Sequence, residues 1–438
     1  MASKKGSSFG FKYSAPLAKR KFNFSEVEES ATKEIDSIKV YLRVKPHDGR
    51  QINESNDVFE VTDSNTLLVK ATEGSNKVSR GNETYSYTFT HIFPPDVSQK
   101  EVFEKSVKES VMDFVNGFSS LIFTYGTTSA GKTFTVQGTS QLPGLIPRAF
   151  CLVFKSIEDR QTDAMEYMPC GRIVKRMTEQ ELKNHSDLKQ TIINHCNIDD
   201  SQSLTKNVHK LSQHESGLNF EIMDMILEKE TNSLVVLKPE ITYSLWISFY
   251  EIYNECIYDL LTAPLTSNSQ RKHLKIGEDS AKNSFVRDVN YVNVTSITDA
   301  RKVLIYGRNN LQVAMTGLNA HSSRSHCIFT LTLVRSPEAA ETGDDIVISQ
   351  LSLCDLAGTE RQKKTLNVGE RLKESQHINC SLHVLSRCFD IIRENQNRAE
   401  RSVIPYRESN LTKLFQKALR GEEKNSNDGK YKCGFLVR

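Results

Sequence analysis

The sequence is short of everything that would place it in a membrane or an oxidising compartment. No run of about 18 apolar residues occurs, and the polar N-terminus "MASKKGSSFGFKYSAPLAKRKFNF" has no apolar core of a secretion signal, which argues against spanning and export. Its nine cysteines contain no CxxC pair, so neither a disulfide framework nor a zinc site is suggested, and a reducing cytosol or nucleus fits best. Charge of one sign is also missing. The 57 basic and 54 acidic side chains leave +3, so no global field announces nucleic acid, and an acidic partner must be met by a local patch.

What is present is the composition of a soluble globular chain: 438 residues, 38% hydrophobic and 25% charged. Residues 1–36 are rich in Ser and Lys and lack periodicity, and they read as a flexible arm. Its "KRK" reads first as a solvated charge run and second as a localisation or polyanion-binding patch. Beyond it, "SIKVYLRVKP", "SSLIFTY", "YSLWISFYEIY", "HCIFTLTLV" and "IVISQLSLCDLAG" read as strands, several so continuously apolar that both faces must be covered. Helical patterns lie between them. In "INCSLHVLSRCFDII", Ile378, Leu382, Leu385, Phe389 and Ile392 make one apolar stripe, which reads as core. The alternation implies an α/β fold with a mixed, mostly parallel central sheet and helices on both faces. Two polar tracts break the rhythm: residues 149–242, far longer than ordinary connections, and "GEEKNSNDGK" before a terminal strand-like "YKCGFLV".

The phosphate-binding pattern GxxxxGK[ST] is met by Gly126, Gly131, Lys132 and Thr133, with Thr127, Thr128, Ser129 and Ala130 between. Glycines let backbone amides turn inward around phosphate oxygens, the following helix aims its positive end at them, Lys132 reaches the terminal phosphates, and Thr133 can ligate Mg²⁺. A strand-like run before the loop and a helix-compatible stretch after it are the context that geometry requires. A P-loop specifies a nucleotide, not a use. "LSLCDLAGTE" ends a strand in Asp355, followed by Gly358; alone it is a strand and a glycine turn, but beside a P-loop it reads as a switch that approaches a γ-phosphate. "NAHSSRSH" at 319–326 offers the hydroxyls of Ser322 and Ser323 and the cation of Arg324; alone it is a Ser-rich capping turn.

Together, residues 126–133, 319–326 and 355–360 resemble the motor domain of the kinesins, a P-loop NTPase fold. The likeness extends to "YLRVKP", "SFYEIYNECIYDLL", "INCSLHVL" and "IPYRESNLTKLF", covering most of 37–438 outside the insertion. It implies ATP and Mg²⁺ as cofactors: Arg43, Pro46 and Phe134 would hold the adenine, Thr133 and Ser323 would ligate the metal, and Asp355 would stand behind a water. Ser322, Ser323 and Gly358 would surround the γ-phosphate and attacking water. Arg324 and Glu360 would close a salt bridge, with Glu360 accepting the proton through a water relay. No guanine-reading NKxD motif appears, which disfavours a switch GTPase.

The implied partner is the microtubule, met through Arg361, Lys364, Lys373, Arg387, Arg407 and Lys413, with no nucleic acid, no membrane, and dimerisation of the full-length protein through segments outside this chain. The sequence departs from the family pattern at Lys45, Thr359, Cys380 and Asn410; the last two stand where lysines are usual, which predicts weaker or more salt-sensitive filament binding. The 149–242 insertion resembles the expanded loop of the sixth kinesin subfamily, the mitotic kinesin-like proteins of the spindle midzone and cytokinesis. After "KCGFLVR" the family would finish its last core strand, then add a helix and the neck linker. Their absence predicts an unpaired sheet edge. A microtubule crosslinker with weak turnover is the alternative reading.

Overall fold

The computed structural model describes residues 38–46, 59–70, 84–162, 166–202, 220–230, 240–263, 271–279, 283–316, 324–337, 346–359, 370–396, 400–420 and 431–437. The N-terminal arm lies outside them. β1 (Lys39–Arg43) is followed by a separate antiparallel sheet of β2 (Phe59–Val61), β3 (Thr66–Lys70) and β4 (Thr84–Thr88), and β5 (His91–Phe93) returns to β1. Helices α1 (Gln99–Ser106) and α2 (Lys108–Val115) lead into β6 (Ser119–Tyr125), α3 (Lys132–Val136) and α4 (Leu145–Ile157). The hairpin β7 (Tyr167–Cys170) and β8 (Ile173–Arg176), α5 (Glu179–Gln202) and α6 (Phe220–Glu230) precede the long β9 (Ile241–Tyr253). Next come β10 (Cys256–Asp259), β11 (His273–Leu274), the hairpin β12 (Ile276–Glu278) and β13 (Ser284–Val286), β14 (Val292–Val294) and α7 (Ile297–Thr316). The order ends with β15 (His326–Pro337), β16 (Val347–Asp355), α8 (Glu370–Gln396), α9 (Asn410–Leu414), α10 (Gln416–Arg420) and β17 (Tyr431–Val437).

Among the described residues ten strands form the main sheet, in the order β11-β10-β9-β15-β16-β6-β17-β1-β5 with β14 beside β9. It is mixed, but parallel pairing holds only from β16 to β5; from β11 to β16 every pairing is antiparallel, so parallel strands dominate only one half. The apolar runs of β6, β9 and β15 are buried along nearly their whole length because helices cover both faces. One face packs on α1, α2, α4 and α7 through Val102, Phe114, Phe150 and Val303. The other carries α8 to α10 through Leu382, Leu385, Leu411 and Leu419, which bears out the core reading of the α8 stripe at Leu382, Leu385, Phe389 and Ile392; the Ile378 side chain lies outside the described residues.

The missing-strand expectation is overturned. β17 is a full strand between β6 and β1, parallel to both, with Val437 opposite Tyr125 and Leu42. The strand expected to leave an open edge lies inside the sheet, third from its β5 edge, and among the described residues the edges are β5 and β11. Spatial order is what a one-dimensional reading of "YKCGFLV" lacked.

The insertion also differs from the reading of its bounds. Residues 149–157 belong to α4, buried at all but Lys155, so the polar tract begins after that helix. Beyond α4, the tract wraps the sheet. Met168 and Val174 of the β7–β8 hairpin and Leu182 of α5 pack on the α8 face, while Leu188 and Ile192 further along α5 pack on the α7 face. Lys189 pairs with Asp299 at 3.3 Å, Arg301 with Asp224, and Met223 and Leu227 of α6 cover Cys151 of α4.

Candidate functional site

Register brings the site together. Thr124 at the end of β6 lies opposite Asp355 at the end of β16, and Cys327 at the start of antiparallel β15 lies opposite the same Asp355. Because β6, β17 and β1 run parallel, Arg43 comes to the same end of the sheet. The carboxyl ends of parallel strands thus gather the phosphate loop, the second switch and the exit of the first, where open α/β sheets place ligands.

The loop 126–133 turns from β6 into α3 through Gly131 at φ 93°, a left-handed conformation that a Cβ would strain, and Ser129 is left-handed too at φ 62°. Lys132 is only 8% exposed, and its Nζ donates to the Gly126 and Thr127 carbonyls at 2.9 and 3.0 Å, which tethers the ammonium inside the turn. Thr133 Oγ1 donates to Asp355 Oδ2 at 2.7 Å, and Thr124 Oγ1 to Asp355 Oδ1 at 3.2 Å. Burial pushes the Asp355 carboxyl above the usual carboxylate range, opposed by the Thr133 hydroxyl, the Lys132 charge and the Thr124 hydroxyl. The second switch touches the loop directly: the Thr359 amide donates to Gly126 O at 3.2 Å, and Gly358 is buried beside it.

Arg43, expected at the adenine, is held from within the protein. It is 5% exposed and donates to Gln99 Oε1 at 2.6 Å and Thr135 Oγ1 at 3.1 Å, with its guanidinium 5.5 Å from the Phe134 ring centre. Gln99 also donates to Phe134 O at 2.7 Å, so Arg43 and Gln99 brace the backbone and ring of Phe134 from behind. Pro46 is exposed and Phe134 half-buried. Sequence reasoning missed Thr124, Gln99 and the tie from Lys45 Nζ to Ser129 O at 3.0 Å; the last had a signal, since Lys45 was the odd residue in "YLRVKP". Arg324 opens the turn before β15. Ser322, Ser323, Glu360, Arg361, Lys364 and the Lys373 side chain lie outside the described residues.

Of the proposed filament cations, Arg387 holds Glu408 at 2.5 Å and Lys413 approaches Glu278 at 3.8 Å, while Arg407 is exposed. Both pairs are partly solvated and contribute at most about 1 kcal/mol, so either cation can be drawn to another carboxylate. Asn410 is not a neutralised copy of a surface lysine. Its Nδ2 donates to Glu255 O at 2.6 Å and its amide to Glu255 Oε2 at 2.6 Å, which caps the β9–β10 turn where Asn254 and Glu255 have positive φ.

The donor set fits a magnesium nucleotide. Among the described residues no group of three or more His, Cys, Asp or Glu could hold a metal, and one carboxylate with neighbouring hydroxyls is the oxygen set that binds Mg²⁺ together with phosphates.

A family model described as the kinesin motor domain matches residues 43–426. The chain belongs to the kinesin family. Mouse kinesin-like protein KIF20A is 35% identical over 87% of this chain and 46% of its own length, so the chain spans about half of that relative. Fruit-fly (Drosophila melanogaster) kinesin-like protein subito is 32% identical over 94% of this chain and 63% of its own length. A solved structure named kinesin 6 superposes with TM-score 0.66 at 27% identity, over 92% of this chain and 93% of that one, which agrees with the likeness to the sixth subfamily. A second, KIF14 with ADP in complex with a microtubule, has TM-score 0.61 at 25% identity over 92% and 88%. Among the described residues no helix is long and apolar enough to cross a membrane.

Proposed function

We propose that this chain is a microtubule-stimulated ATPase head whose nucleotide state sets its affinity for the filament, and that the full-length protein acts in the spindle or its midzone during mitosis, meiosis or cytokinesis. The observation that carries the reading is the contact of Thr133 with Asp355 at 2.7 Å together with that of the Thr359 amide with Gly126 O at 3.2 Å: the phosphate loop and the second switch are already one unit. A bound Mg-ATP would supply the phosphoryl group to be cleaved and a cation to offset its charge.

The chain's own groups would do the rest. Loop amides 126–133 and Lys132 would orient the phosphates, Thr133, Ser323 and Asp355 would hold the magnesium, and Arg43, Pro46 and Phe134 would hold the adenine. Ser322, Ser323 and the Gly358 amide would position the water, and Glu360 would take its proton with Arg324 as its counter-charge. Rate then comes from placement and charge, so one displaced group costs orders of magnitude. Arg387, Arg407 and Lys413, with Arg361, Lys364 and Lys373, would meet acidic tubulin.

The test is steady-state hydrolysis of monodisperse protein with and without microtubules, with GTP as competing nucleotide and Glu360→Ala as control. Stimulation by filaments, preference for ATP, and a loss of about a hundredfold or more in the variant are expected. Filament binding without stimulated turnover would replace the motor by the crosslinker, and equal use of GTP would refute the adenine reading.

A further inference from the structure

His326, the last residue of "NAHSSRSH", is 3% exposed and uses both ring nitrogens. Nδ1 accepts the backbone N–H of Ala357 at 3.1 Å. A backbone amide can only donate, so Nδ1 carries the lone pair and the proton sits on Nε2. Nε2 therefore donates to Ser381 Oγ at 2.8 Å. Burial and the charge of Lys132 hold the imidazole pKa down at about 4, which keeps this tautomer neutral near pH 7. Ala357 is 1% exposed in the turn after Asp355, and Ser381 is 2% exposed on α8, facing the interior rather than any filament. One ring thus joins the exit of the first switch, the second switch turn and α8. Its two bonds are directional and shielded from water, so neither α8 nor the 355–358 turn can shift alone without leaving a buried polar group unpaired.

We propose that His326 is the positioning residue through which the second switch turn and α8 move as one, the Ala357–His326–Ser381 chain carrying filament binding at α8 to the nucleotide site. The proposal rests on the ATPase reading above. Its test uses Ser381→Ala, His326→Gln and the double variant of the full chain. In Ser381→Ala, basal turnover should stay within about twofold of wild type, the microtubule concentration for half-stimulation should hold, and the maximal stimulated rate should fall about tenfold, a typical coupling between sites. His326→Gln should lower the stimulated rate as much, and the double variant no further, because both remove one link.

Full stimulation in Ser381→Ala, or losses that multiply in the double variant, would overturn the proposal. Hydrogen exchange of the 354–359 segment without filaments separates this failure from failure of the ATPase reading. If wild type itself is not stimulated, that reading is what fails. Faster exchange in Ser381→Ala would then still support the link, and unchanged exchange would sink it.

Discussion

Two buried side chains give this fold opposed responses to acid. His326 has an ordinary pKa of 6.5 and is held at about 4, so on acidification the unfolded chain takes the proton first; its stabilising share is whole above 6.5 and is lost as pH falls towards 4. Asp259 is raised from 3.8 to about 6, mainly by burial, against the pull of the Asn290 and Leu261 amides. Here the folded chain takes the proton first, so its share is whole below 3.8 and is lost as pH rises through 6. Each swing is about 3 kcal/mol at 1.36 kcal/mol per unit, and between pH 6 and 4 the two largely offset. Replacing His326 by Gln removes its share and leaves that of Asp259 in place. Denaturant titrations should show the variant gaining stability relative to wild type from pH 7 to 5, by about 2 kcal/mol; parallel curves would mean that His326 is not held neutral. The site was legible where it is local. Residues 126–133 and Asp355 through Gly358 announce themselves because a phosphate loop and a switch turn need fixed residues at fixed short spacing. Arg43, Thr124 and Asn410 take their roles from neighbours far along the chain, Gln99, Asp355 and Glu255, which no spacing encodes.

Strands were readable as elements because burial on both faces makes them continuously apolar, as in β6, β9 and β15. Helix α5 was not, although it is integral. Its inward side runs Leu182, His185, Leu188, Ile192 and His195, with His185 edge-on to Trp246 at 5.1 Å and His195 to Tyr306 at 5.5 Å. Two of five contacts are histidines and the other sides are charged, so the stripe is too thin to stand out in a polar tract. If α5 belongs to the core, Ile192→Ala, at a fully buried position, should cost about 2–4 kcal/mol in chemical denaturation. A cost below about 0.5 kcal/mol would show the insertion to be an appendage.

At the scale of the whole molecule, β17 joins the phosphate-loop strand β6 to the β1–β5 pair, and among the described residues it is the strand through which those pairs are hydrogen-bonded into one sheet. Removing residues 431–438 should abolish a cooperative melting transition and yield aggregates in size-exclusion chromatography, because β6 and β1 would then present open strand edges. A monomeric, cooperatively melting variant would contradict the interior placement. The same placement sets a timetable for biosynthesis. More than four hundred residues leave the ribosome before the strand that closes the sheet exists, so the nascent head waits with β6 unmatched on one side. Until residues 431–437 emerge, a chaperone that shields β6 would protect the one strand whose far end carries the phosphate loop, and loss of such shielding would lower yield without touching any catalytic group.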